Sequence, residues 1–177
     1  MVSWPEIMKR HGPLVWQTVL RLLCHEADAS DCFQNAFRDA VALARKETIL
    51  NWPALLKRLA TTRAINRLRQ RRREAIRVRP LNGDPAPSRE PTPEQAAEGA
   101  ELAERLRLAL ADIEPRQALI FSLACLDGWA HQEIAAQLGI TATHVRVLLS
   151  RARAELRVRL RAFDPADNPD AVSGAQP

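Results

Sequence analysis

Apolar positions recur three and four residues apart along most of this chain, while period-two runs of β-branched residues are hard to find. That spacing predicts helices throughout, an all-α protein. Leu14, Val15, Val19, Leu22 and Leu23 form one stripe, on a helix ending near His25. Asp28 is placed to cap the next helix, with Asp31 three residues on in a capping-box-like position. Cys32, Phe33, Ala36, Phe37, Ala40, Val41 and Ala44 then follow at helical spacing, and the opposite face carries Asp31, Gln34, Asn35 and Arg38. After a break at KETILNWP, a third helix runs from about Ala54 into a run of arginines, with Leu55, Leu56, Leu59, Ile65 and Leu68 on its apolar side.

Further along, Ala100 to Ala111 reads as one helix and Arg116 to Leu126 as the next, with Pro115 near its first turn and Gly128 just past its end. Cys125 falls on the apolar side of that helix. A short segment from about His131 to Leu138 stops at Gly139, and a long helix follows to about Leu160.

Composition divides this series in two. Of the twelve prolines, five lie between Pro80 and Pro93, where they remove backbone donors and block helix continuation. The pattern therefore predicts a domain over residues 1–77, a flexible linker over 78–95, a second domain over 96–163 and a disordered tail over 164–177. Three cysteines form no even framework, and no apolar run reaches the roughly 20 residues that span a bilayer. The start lacks the apolar run of a signal peptide, so a soluble, cytoplasmic chain without membrane insertion is expected.

The net charge of +5 combines 26 basic and 21 acidic residues, so its meaning depends on clustering. From Lys57 to Arg79 ten Lys or Arg face a single acid, Glu74. A short basic run is usually a solvated face. This one continues a helix with an apolar side, and adjacent turns repel unless a polyanion lies alongside, so a nucleic-acid backbone is the expected partner.

The stretch QEIAAQLGITATHVRVLL has the pattern of a helix-turn-helix. Ala135 is small where the second helix crosses, Gly139 permits a left-handed turn, and Ile134, Leu138, Ile140, Val145 and Leu148 are spaced to fill the wedge. Thr141, Ala142, Thr143, His144 and Arg146 are left near the exposed start of the second helix, with Arg151, Arg153 and Arg157 further along it. A helix, a glycine and a helix also suit an ordinary packed pair; the complete pattern with its arginines favours duplex DNA.

At this point the sequence resembles the extracytoplasmic-function (ECF) group of bacterial sigma factors. DASDCFQNAFRDAVALAR looks like the segment by which those proteins grip the clamp helices of core RNA polymerase, and NWPALLKRLATTRAINRLRQRRR is similar to their promoter-melting segment. IEPRQALIFSLACLDGWAHQEIAAQLGITATHVRVLLSRARAEL follows their second domain. The resemblance implies polymerase contact by Asp31, Gln34, Asn35 and Arg38. It places Trp52 where the family has an aromatic residue, makes Arg45 to Asn51 the loop that pockets a flipped base of the minus-ten element, and sets Arg63, Arg67, Arg69, Arg71, Arg72 and Arg73 against that DNA. Thr141, Thr143, His144, Arg146 and Arg151 would read the minus-thirty-five element. Core RNA polymerase, promoter DNA and an anti-sigma factor are the implied partners. Thr62, Asn66, Glu114, Ala130, His144, Val147 and Leu148 depart from the usual residues, so promoter sequence does not carry over.

No Gly-rich phosphate loop, nucleophile elbow or supported carboxylate pair is present, which argues against an enzyme and against a cofactor. Cys24, His25 and Cys32, with His11 upstream, match no zinc spacing. Two other readings remain. A stand-alone helix-turn-helix regulator leaves the first domain unexplained, and an RNA-processing or RNA-chaperone protein leaves the helix-turn-helix unexplained.

Overall fold

The computed structural model describes residues 3–78 and 94–161, with side chains over 3–77 and 99–161. The expected linker core and C-terminal tail lie outside the described residues. Within them are seven α-helices and no strand: α1 Trp4–Leu23, α2 Glu26–Ala44, α3 Trp52–Val78, α4 Glu94–Asp112, α5 Pro115–Phe121, α6 His131–Leu138 and α7 Ala142–Arg161. A π-helical turn, Ser122–Leu126, extends α5. No helix among the described residues is long and apolar enough to cross a membrane.

The first three helices pack around Val15, Val19, Leu22, Ala36, Phe37, Leu55, Leu56 and Leu59. α1 begins ten residues before the stripe read from the sequence and runs through Gly12 and Pro13. Pro13 is exposed, so its missing N–H interrupts the helix only on the solvent side, while Trp4 and Ile7 pack against the core and hold the first turns in place.

Asp28 does not cap α2. His25, in extended conformation, takes that place, its Nδ1 accepting from the backbone N–H of Asp28 at 3.3 Å. The Asp28 carboxylate is instead buried against α3. α3 starts at Trp52, two residues before the apolar pattern does, because Asn51 Oδ1 accepts from the N–H of Ala54 at 3.0 Å and Pro53 fits a first turn that needs no donor.

A second core gathers Leu110, Ile113, Ile120, Leu123, Ile134, Val145, Leu149 and Leu156 from α4 to α7. Glu114 caps α5, its carboxylate accepting from the N–H groups of Arg116 and Gln117 at 2.9 Å each. The π-turn shifts the helical phase, so Cys125 is exposed and not part of the apolar side that uninterrupted 3.6 periodicity assigns it. Its sulfur receives a contact from Arg153 Nη2 at 3.4 Å.

The two cores touch. Ile65 of α3 is buried in the second cluster, and Ala111 and Leu126 pack against the first.

Candidate nucleic-acid interface

Three surfaces carry the residues that the sequence singles out. On α2, Asp31, Gln34 and Arg38 are exposed and Asn35 is half-buried. They share one face because Cys32, Ala36 and Ala40 turn the other into the core. Asp39, one position on, lies aside from this face and pairs with Arg63.

The helix-turn-helix forms as its residue types require. Glu133 Oε2 accepts from the N–H of Ala130 at 2.8 Å, supplying α6 with half a cap where no hydroxyl is available. Gly139 closes α6 at φ +62°, a left-handed turn. Ile134 and Val145 are fully buried between α6 and α7, with Leu138 and Ile140 packed at the edge of the wedge. Thr141, Thr143, His144, Arg146 and Arg151 are all exposed at the start of α7 or along it. Thr141 has a structural duty as well, its Oγ1 accepting from the N–H of His144 at 3.2 Å. Arg146 Nη2 donates to Thr143 Oγ1 at 3.2 Å, which brings the two together on one turn. Val147, 43% exposed, stands among them. Its signal in the sequence is helical spacing: it follows Thr143 by four and His144 by three, off the buried face.

The arginines of α3 behave differently from expectation. Adjacent turns do not wait for a polyanion, because acids on other elements reach them. Arg63 makes a two-pronged pair with Asp39 at 2.6 and 2.5 Å. Arg67 and Arg71 both reach Asp28 at 2.8 Å. Arg69 Nη1 donates to the carbonyls of Ala111 and Ile113 at 3.2 and 2.6 Å, where α4 ends. Arg72 Nε lies 3.2 Å from Asp112. Of the six arginines singled out on α3, only Arg73 is exposed with no such partner among the described residues. Sequence reasoning missed Asp28, Asp39 and Asp112 because they lie on other helices, and local charge counting sees only Glu74.

Trp52 is half-buried, its ring edge-to-face with Trp4 at 5.4 Å between centroids. The loop before it projects Leu50, which is 95% exposed, while Ile49 packs inward.

Burial pushes the Asp28 carboxyl up, but its hydrogen bond from Arg67 and the charges of Arg71 and Arg67 outweigh burial and leave it below its ordinary range. Burial, with Asp28 adding to it, pushes the Cys32 thiol up to about 11, so this sulfur stays protonated in the core.

Comparison with known proteins gives two family matches in chain order. Residues 7–74 match Sigma-70 region 2, and residues 103–156 match Sigma-70, region 4. The ECF RNA polymerase sigma factor SigE of Mycolicibacterium smegmatis is 28% identical over 157 residues, covering 89% of this chain. The chain spans 61% of that relative's length. Among solved structures, the sigma factor RpoE of Bartonella quintana, crystallised with the anti-sigma factor NepR, shares the fold. It aligns with TM-score 0.53 at 18% identity, over 90% of this chain and 98% of that one. With a region 2 built on α1 to α3 and a region 4 built on α4 to α7, this chain belongs to the sigma-70 family, in its ECF group.

Proposed function

We propose that this chain acts as an ECF-type sigma factor, joining core RNA polymerase and directing it to promoters. The observation that carries the reading is the coexistence, in one chain, of an open polar face on α2 and an open reading face on α7. A free-standing regulator needs only the second of these.

In this reading Asp31, Gln34, Asn35 and Arg38 meet the polymerase clamp helices. The loop of residues 45–51, with Trp52 behind it, takes a base turned out of the minus-ten element, at a cost of a few kcal/mol of unstacking. The arginines of α3 hold the parted strand, and Thr143, His144, Arg146 and Arg151 read and grip the minus-thirty-five duplex. Residues 1–77 and 96–163 act as two modules whose tether raises the effective concentration of each at the promoter. The protein carries no reaction of its own in this scheme, which needs no nucleotide hydrolysis. Its place of action is the cytoplasm, with polymerase, and regulation by an anti-sigma protein fits the same exposed surfaces.

The test is co-elution with bacterial core polymerase. The native chain is expected to enter the complex, and a Gln34→Ala, Arg38→Ala variant with unchanged helix content to enter it at least tenfold less well. Equal entry of both overturns the role given to α2.

A further inference from the structure

Val147 stands 43% exposed on the outer face of α7, while the aliphatic residues around it in sequence, Val145, Leu148 and Leu149, are buried in the second core. Thr143, Val147, Ser150 and Ala154 follow one another at helical spacing and are all exposed, so they form one line along that face. Each of them is short. Arg146 and Arg153 lie to one side of the line, and His144 and Arg151 to the other. A helix of this shape can approach base edges closely along its centre while its cations reach the phosphates on both walls of the groove. The hydroxyl one turn before Val147 is already engaged, since Thr143 Oγ1 accepts from Arg146 Nη2 at 3.2 Å. Leu148, beside Val147, turns into the core and brings no polar group to this place.

We propose that Val147 is a specificity-determining residue that selects thymine at one position of the upstream duplex, by contact with its C5 methyl group. The inference rests on the reading of α7 as the helix that enters the major groove, and deepens it by naming the base and the group. Valine offers neither a donor nor an acceptor. Over a purine it covers N7 and the neighbouring oxygen or amine, and displaces their water without supplying a partner. Over cytosine it lies beside the N4 amine with the same result. Over thymine it meets a methyl, the one apolar group that a base pair presents in the major groove. Branching at Cβ holds both valine methyls in one strongly preferred rotamer on a helix, so the contact orders little that is not already ordered. Burial of one methyl group corresponds to about fourfold in affinity.

The test uses the full-length chain assembled with bacterial core polymerase, and promoter duplexes that this complex selects from a random library. Each thymine of the upstream element, on either strand, is replaced in turn by deoxyuridine, which keeps every hydrogen-bonding group of the base and removes only the methyl. At one position the native complex is expected to lose about fourfold in affinity. A 5-methylcytosine pair at that position is expected to bind better than the cytosine pair. With Val147→Ala, which shortens an exposed side chain and favours the helix, the loss from deoxyuridine at that position is expected to fall to about twofold or less. Each protein is compared with itself on two duplexes, so a variant that folds less well still reports its own preference. An upstream element with no methyl-sensitive thymine, or an equal loss with the native chain and Val147→Ala, overturns the proposal and leaves the sigma reading standing. Selection of no upstream element overturns both the proposal and the role of α7 as the reading helix.

Discussion

Asp28 of α2 accepts from Arg67 of α3 at 2.8 Å, from a position only 6% exposed. Arg71 reaches the same carboxylate, so one buried acid anchors two successive turns of the basic helix. These contacts join the first turn of α2 to two successive turns of α3, beside the apolar cluster that packs the two helices together.

Replacing Asp28 by Ala strands two guanidinium groups against the core. Breaking a buried pair costs about 3–5 kcal/mol, and with both arginines about one-third exposed the expected loss here is nearer 2–3 kcal/mol. A fall in the urea midpoint at unchanged slope checks it. The acid side of the pH profile follows from the sign of the shift. The folded carboxyl titrates below its ordinary 3.8, so its contribution is present above that value and is lost as pH falls through the folded pKa. The stability gap between the native chain and Asp28→Asn is expected to be full at neutral pH and to close in acid. A gap that widens below pH 4 contradicts the assignment.

Thiol chemistry separates the three cysteines. Cys24 and Cys125 are exposed and Cys32 is buried, its thiol raised to about 11. Iodoacetamide at pH 8 should label the first two and spare Cys32 until the chain is unfolded in guanidinium, with mass spectrometry of peptides as the readout. Rapid labelling of Cys32 in the folded chain contradicts the core described for α2.

On α7 two substitutions should act differently. Arg151→Ala is expected to weaken binding to all duplexes alike and to lower the slope of log affinity against log salt by about one. Val147→Ser changes the only exposed aliphatic side chain between Thr141 and Arg151, and should alter which base is selected at one position by about 1–3 kcal/mol. Selection from a random duplex library with each variant, followed by salt titration, distinguishes the two effects. Identical selected sequences from the native chain and Val147→Ser contradict the placement of that residue on the reading face.

Much of this was legible in the sequence because helical spacing is a local signal. The stripes on α2 and α3, the glycine that ends α6 and the wedge between α6 and α7 all follow from residues within one or two turns of each other. Three features were not legible for the converse reason. The π-turn at Ser122–Leu126 inserts a phase shift that no residue type announces, and it moves Cys125 from core to surface. Ile65 sits in the apolar stripe of α3, yet it fills the second core, since a stripe says that a face is buried and not against what. Asp28, Asp39 and Asp112 neutralise α3 from distances of 24 residues or more along the chain, and charge counting within a window cannot find them.

We propose that this chain starts transcription through both of its open faces, on α2 and α7. Run-off transcription with bacterial core polymerase measures it most directly, on promoter DNA selected from a random library and with the Gln34→Ala, Arg38→Ala variant alongside. Transcripts that require the chain, and that the double substitution reduces at least tenfold, are the expected result. Binding of duplex DNA by the chain, with no transcript and no association with core polymerase, would contradict it.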